Sequence, residues 1–294
     1  MLHNQSVFTK TNNFALFIMA MLKVSELYIY PIKSLGGIKI DKAFVTDRGF
    51  QYDRRWMLID KNNRFISQRE HAEMALLTPH IDGEYLTVSA PDGTSINIPL
   101  HIDNQELITV SVWDDTCHAQ LIDKAADDWF SSQLNLNVRL VFMPDKTLRF
   151  TDPKYTRDEQ ITSFSDAYPF MMIGQASLDD LNQRLEKPSP VNRFRPNIVF
   201  TGGIPYQEDT MNDFTINNIG FNGVKLCARC NIITIDQSTA ISAKEPTKTL
   251  ASYRARDNKI YFGQNLVHNR TGVISVGDEI YQLTQHFEDR FIII

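Results

Sequence analysis

Two cysteines separated by two residues, in the run Cys227-Ala228-Arg229-Cys230, are the side chains of this sequence best suited to chemistry. A Cys-x-x-Cys pair has several physical readings. It is half of a zinc site when two further Cys or His ligands complete a tetrahedron. It is a redox dithiol when it opens a helix after a buried strand. It is a single working thiolate with a neighbour of other purpose when a cation beside it favours the charged sulfur, and Arg229 lies between the two. It is also, more plainly, two ordinary cysteines near a strand end. Cys117 stands alone and the seven histidines show no paired spacing, which weighs against zinc. The NIITID run after Cys230 is β-branched and predicts a strand over 232–235, which weighs against the dithiol. Spacing alone leaves the last two readings open.

Other segments offer positive charge. Tyr30-Pro31-Ile32-Lys33-Ser34-Leu35-Gly36-Gly37 ends a strand in a glycine-rich turn. A lysine, a serine and free backbone N–H groups together make an anion cradle, although a solvated lysine in a surface turn is the commoner case. Asp53-Arg54-Arg55-Trp56 opens the next strand pair. Adjacent arginines on a strand point to opposite faces, so one of them turns inward and needs an anion. Arg195-Pro196-Asn197 introduces a later strand, and the planar guanidinium of Arg195 suits phosphate or carboxylate. A structural ion pair is the alternative there.

The elements that must position these residues are mostly strands. Strands are expected at 24–30, 38–45, 55–60, 64–67, 85–89, 95–100, 107–112 and 138–143, with hairpin turns at Asn62-Asn63 and Pro91-Asp92-Gly93. More follow at 198–201, 213–216, 223–226, 232–235 and 273–281. Asp123 is placed to cap a helix that puts Ala126, Trp129, Phe130 and Leu134 on one face. Ser177 heads a second helix, with Asp180 three residues on in a capping-box pattern and Leu178, Leu181 and Leu185 at helical spacing. The polar stretch 144–166 is the best boundary. The fold class expected is β-rich α+β, in two units that each carry some helix.

Composition narrows the function classes. The chain has 294 residues, 43% of them apolar and 22% charged, as soluble globular proteins do. A net charge of −5 with no run of Lys and Arg gives no reason to expect a nucleic-acid partner. Three cysteines are too few for a disulfide scaffold and suit a reducing cytoplasm. The apolar run 14–22 is shorter than the roughly 20 residues that span a bilayer. Residues 1–21 are therefore expected to be a disordered or non-native extension, with a membrane or export role as the alternative.

Taken together, these segments resemble MOSC-domain proteins, the family named after the C-terminal domain of molybdenum cofactor sulfurase. The branch resembled holds the mitochondrial amidoxime-reducing component and bacterial N-hydroxyl-reducing proteins. The likeness runs in order through YPIKSLGG at 30–37, DRRW at 53–56, SQRE at 67–70 and SDAYPF at 165–170. It continues through QASLDDLNQRL at 175–185, FRPNIVF at 194–200, CARC at 227–230, EPTKTLASYR at 245–254, FGQNL at 262–266 and GVISVGDEI at 272–280. The resemblance implies a MOSC-associated β-barrel-like domain over 22–145, a MOSC β-barrel domain with a few helices over 146–285, and a tail at 286–294. It implies a molybdenum-molybdopterin cofactor, with Cys230 supplying the protein sulfur to molybdenum. Lys33, Ser34, Arg54, Arg195 and Asn197 would hold the pterin and its phosphate, with Arg229 beside them. Asp166, Ala167 and Tyr168 correspond to further cofactor contacts, and Asp166 and Tyr168 are candidate proton donors. Relatives often carry Thr or Gly at 167 and Ser at 168, so contacts there are expected through backbone.

The activity implied is reduction of N-hydroxylated compounds: hydroxylamines, amidoximes and N-hydroxylated bases, a detoxifying chemistry. Pyridoxal phosphate binding is a further property attached to the family. Some relatives append a plant-type ferredoxin domain, whose cluster takes four cysteines. None follows Cys230 in this sequence, so a separate electron donor, a flavin reductase or a ferredoxin, is expected. A cofactor or sulfur carrier using a Cys230 persulfide is the alternative function.

Overall fold

The computed structural model describes residues 21–102 and 106–287. The expectation for the N-terminal extension falls mostly outside them, as does the end of the expected tail. The chain is β-rich α+β, as its dense turn signals require. The largest sheet has nine strands. Its order is Ile280–Gln282, Asp213–Ile216, Ile219–Arg229, Lys259–His268, Phe170–Gly174, Ile198–Thr201, Lys23–Ile29 and Ile38–Ile40, with Ala255–Arg256 paired beside Lys259–His268. Phe170–Gly174 and Ile198–Thr201 run parallel, joined through the helix Gln175–Arg184. That is the crossover a parallel pair needs.

A four-stranded sheet orders Trp56–Ile59, Arg139–Phe142, Asp115–Leu121 and Leu107–Val112. A three-stranded meander holds Thr78–Asp82, Tyr85–Ser89 and Ser95–Pro99, turning at Pro91-Asp92-Gly93 as expected. A second three-stranded sheet pairs Lys42–Thr46 with Gly272–Ser275 from the far end of the chain. The first strand and this pairing tie the two halves together by main-chain hydrogen bonds. The largest core packs Leu27, Phe50, Phe170, Phe200, Phe214, Phe221 and Leu266. A second surrounds Trp56, Leu58, Leu86, Phe130 and Leu140.

Several local expectations change in the fold. Asp123 caps the helix Lys124–Leu134 by accepting from the Ala126 N–H at 2.7 Å. Ser177 caps nothing: the helix Gln175–Arg184 starts after Gly174, and the Ser177 hydroxyl donates to buried Glu208 at 2.7 Å. Asp180 pairs with Arg184 and Tyr206 instead of the helix start. The arm 64–67 joins by isolated bridges only, because the Asp60 carboxylate takes the N–H groups of Asn62 and Arg64 and folds the chain away. The strand expected over 232–235 is a 3-10 turn, Asn231–Thr234, and its β-branched residues serve the core, Ile233 and Ile235 being buried. The segment 273–281 is two strands broken at Gly277, whose φ of +93° only glycine takes freely.

Gly37 shows why the glycine-rich turn is needed. A Cβ there would sit 2.4 Å from Cε1 of Tyr30. Tyr30 is buried, and its hydroxyl donates to the Pro196 carbonyl at 3.1 Å. The ring has nowhere to swing. Gly37→Ala is expected to cost about 1–3 kcal/mol by overpacking, read as a lower urea midpoint at unchanged slope.

Candidate active site

Register brings three distant segments together. Leu27 pairs with Ile198, and Ile198 with Met172. The residues just past the first strand, those just before Ile198 and those just before Phe170 therefore meet at one end of three adjacent strands. Tyr30 to Ser34, Arg195 to Asn197 and Asp166 to Tyr168 are those residues. Arg54 joins them because its N–H donates to the Tyr30 carbonyl at 2.8 Å. The strand Ile219–Arg229 delivers the cysteine segment, anchored where Arg229 Nη2 donates to the Phe194 carbonyl at 2.6 Å. Lys33, Ser34, Arg54, Asp166, Ala167, Tyr168, Arg195, Asn197, Arg229 and Cys230 all line one cavity. Its empty volume is about 820 Å³, counted to its open mouth.

The cavity is built from crowded cations. The Tyr30 ring lies between two guanidiniums, Arg54 at 4.2 Å and Arg195 at 4.3 Å from its centroid. Arg54 is paired: Nη1 donates to both oxygens of buried Asp53, at 2.7 and 2.8 Å, and to Asn197 Oδ1 at 3.1 Å. The strand expected from Arg55 begins at Trp56. Arg54 has φ +49° and sits in a turn, and both arginines are largely covered, Arg55 by Met143 and Asp145. Arg195 differs. Its Nη1 is buried without a partner, and burial pushes its pKa down to about 10. Arg195 lines the cavity, and a guanidinium there with an unsatisfied donor suits an anion that enters beside it.

Lys33 is buried, with Nζ donating to the Phe164 carbonyl at 2.8 Å and to Asp166 Oδ1 at 2.5 Å. Burial pushes its pKa down to about 8 despite Asp166. Ser34 has φ +69°, and its hydroxyl faces no protein partner among the described residues. Asn197 is largely committed to the fold: Oδ1 accepts from Arg54 and Met171 N, and Nδ2 donates to the Tyr28 carbonyl. It positions Arg54 and lines the cavity, with one amide N–H left beyond these bonds.

Both candidate proton donors line the cavity, and their surroundings shift them in opposite directions. Burial works to raise the Asp166 carboxyl, but Lys33 and the Trp113 indole outweigh it and hold it below the usual carboxylate range. It is an ionised acceptor. The Tyr168 hydroxyl is buried without a partner beside Val224 and Val267, and burial pushes its pKa up, away from proton release. Ala167 is exposed and has only backbone to offer.

The cysteines are distinguished by their surroundings. Cys230 is exposed at the end of its strand, while Cys227 is half-buried. The guanidinium expected to favour a thiolate goes to the other sulfur: Arg229 Nη1 lies 3.0 Å from Cys227 Sγ. Cys117 is buried in another core, where burial pushes its thiol up to about 11. Among the described residues no group of three or more His, Cys, Asp or Glu could hold a metal ion by itself. A soft metal brought by its own sulfur ligands needs only one protein thiolate, and Cys230 is placed to give it. Sequence reasoning missed Asp53, Tyr30 as the arginine spacer, and Arg149. Arg149 ties the Ser163, Ser165 and Asp166 carbonyls behind the site loop. Asp53 was legible inside the DRRW motif; Arg149 had no local signal.

Two outcomes follow from this geometry. Arg54→Ala strands the buried Asp53 carboxylate and is expected to cost about 3–5 kcal/mol in urea unfolding, whereas Arg195→Ala costs about 1 kcal/mol, mainly its contact with Tyr30. Lys33 titrates near 8 in the fold against 10.5 outside it. The unfolded chain then binds the extra proton between those values, so Lys33 alone makes the fold more stable as pH rises through that window. Its charge is lost over the same window. Sulfate, which keeps its charge throughout, should bind the cavity more weakly at pH 9 than at pH 7 by calorimetry, and Lys33→Met should flatten the difference.

Comparison with known proteins assigns both halves of the chain to known domain families. Residues 21–137 match the MOSC N-terminal beta barrel domain, and residues 159–281 match the MOSC domain. Mitochondrial amidoxime-reducing component 1 of Mus musculus is 33% identical over 281 residues, 89% of this chain and 82% of that protein. Its Homo sapiens counterpart is 33% identical over 286 residues, 89% of this chain and 83% of that protein. The solved YuaD protein from Bacillus subtilis covers 88% of this chain and 94% of its own, at 12% identity and a TM-score of 0.41, a likeness too loose to add to the comparison. With both domain matches in order and a third of the residues shared along nearly the whole length, this chain belongs to the MOSC-domain family that includes the mitochondrial amidoxime-reducing components.

Proposed function

We propose that this protein is a molybdenum-cofactor-dependent oxidoreductase that reduces N-hydroxylated compounds. The observation that carries the reading is an exposed thiol, Cys230, sharing a cavity with Lys33, Arg54 and Arg195, the last of which has a buried, unpartnered donor. The names of the amidoxime-reducing relatives supply the substrate class. Lys33, Arg54 and Arg195 would hold a pterin phosphate, a dianion that the Ser34 hydroxyl can also meet. Cys230 would ligate molybdenum.

When bound, the molybdenum-pterin group supplies the two-electron chemistry. The protein's part is to hold it and to present substrate. Reduction breaks the N–O bond, consumes two electrons and two protons, and releases water. Asp166 is ionised, so it accepts N–H donors of the substrate, and protons arrive from solvent through the open mouth. Electrons would come from a donor protein, a flavin reductase or a ferredoxin. Among the described residues no helix is long and apolar enough to cross a membrane. The relatives are mitochondrial by name, and cytoplasmic residence of this chain rests on its cysteine content alone.

The exposure of Cys230 also suits a carrier that holds a persulfide. Metal analysis separates the two. The purified protein should contain molybdenum and reduce benzamidoxime with an artificial electron donor. Cys230→Ala should lose turnover by at least a hundredfold, while Cys227→Ala keeps most of it. A molybdenum-loaded sample without turnover, or a thiol-bound sulfur without molybdenum, would sink the reductase reading.

A further inference from the structure

Beside the cavity, packed on three residues that line it, stands an aromatic side chain that the fold holds at a cost. Trp113 is the first of the two residues that turn Leu107–Val112 into Asp115–Leu121, where Val112 pairs with Asp115. Its φ is +59°. Glycine adopts that conformation freely, while a residue with a Cβ is strained there. Packing does not demand a tryptophan, since 46% of its surface stays exposed. A strained, exposed, large aromatic at a hairpin tip points to a ligand rather than to the core.

Its neighbours say which ligand. The indole N–H donates to Asp166 Oδ1 at 3.2 Å, which holds the ring beside the cavity. The Arg69 guanidinium lies 3.9 Å from the indole centroid, and the Phe65 ring is 5.4 Å away. Phe65, Arg69 and Asp166 line the same cavity as Cys230. Arg69 makes no ion pair among the described residues and is held by the faces of Trp113 and Phe65, the latter at 5.6 Å. The N-terminal half thus adds a wall of indole and guanidinium to a site whose chemistry lies elsewhere in the chain.

We propose that Trp113 is a specificity-determining residue that stacks planar, conjugated N-hydroxyl substrates reaching out past Asp166 and Arg69, with Arg69 a positioning residue that fixes the indole. Aromatic amidoximes present a flat face to the indole and N–H donors to the adjacent Asp166 carboxylate. A small aliphatic hydroxylamine offers no such face and gains nothing from the wall. This inference rests on the reading of the site as an N-hydroxyl reductase.

The test compares benzamidoxime with N-methylhydroxylamine in wild type, Trp113→Gly, Trp113→Phe and Arg69→Lys. Glycine relieves the backbone strain, so Trp113→Gly should fold at least as well as wild type. The ratio of kcat/KM for benzamidoxime over N-methylhydroxylamine should fall about tenfold in Trp113→Gly, through KM. Trp113→Phe keeps a ring but cannot bond Asp166, and should retain most of the ratio. Arg69→Lys keeps the charge but not the planar stack, and should fall between them. A ratio unmoved in Trp113→Gly overturns the proposal, as does a Trp113→Phe ratio as low as that of glycine, which would assign the effect to Asp166. Calorimetric binding of benzamidoxime gives a second readout. Should the wild type reduce neither substrate, the reductase reading fails by itself. Binding lost in Trp113→Gly would then still support the stacking wall, and binding unchanged would overturn it.

Discussion

Everything at this site depends on holding several cations close together with too few anions. Lys33, Arg54, Arg69, Arg195 and Arg229 share one cavity, and the carboxylates paired with them are Asp53 and Asp166. Asp53 is committed to Arg54. Charges brought out of water repel their neighbours more strongly than they would at the surface. The structure manages this by interposing the π face of Tyr30 between two guanidiniums. A ring face attracts a cation on either side, so it separates the arginines while stabilising both. What is left over, a lysine with depressed basicity and an arginine with an open donor, is stored affinity for an anion.

Backbone strain gathers at the same place. Ser34, Arg54, Arg195 and Trp113 all have left-handed φ angles, between +49° and +69°. Each costs about 1–2 kcal/mol for a residue with a side chain. Glycine would remove that cost at each position, but it would also remove the hydroxyl, the guanidinium or the indole. Strain that persists where side-chain chemistry is needed marks the site independently of any charge argument.

The surrounding fold supplies rigidity. Asn197 commits most of its amide to Arg54, Met171 and Tyr28, and Arg149 ties three carbonyls of the loop that carries Asp166. These residues hold Arg54 and Asp166 in place. The first strand belongs to the nine-stranded sheet of the C-terminal half, so the cradle at Lys33 and Ser34 cannot drift from Arg195 without breaking main-chain pairs.

Much of this was legible in the chain. Strands at 85–89, 107–112, 198–201 and 213–216 alternate or sit between turn residues, and they stand where local pattern puts them. The motifs carrying Cys230, Lys33, Arg54 and Arg195 offered candidate chemistry by residue type, and their order along the chain chose it over the plainer readings. The central strands Phe170–Gly174 and Lys259–His268 could not, because burial on both faces erases the alternation that announces a strand. The turn after Cys230 reads as a strand because β-branched residues suit either a pleat or a core, and only packing selects between them. Local sequence determined which groups were available: a thiol pair, a lysine–serine turn and arginines beside an acid and a proline. Tertiary structure decided their states. It left Arg195 unpartnered, set Arg229 against Cys227 rather than Cys230, and bound Asp166 between Lys33 and the Trp113 indole. Each of those outcomes depends on neighbours supplied by distant strands, and a residue's charge, burial and partners follow from its neighbours rather than from its type.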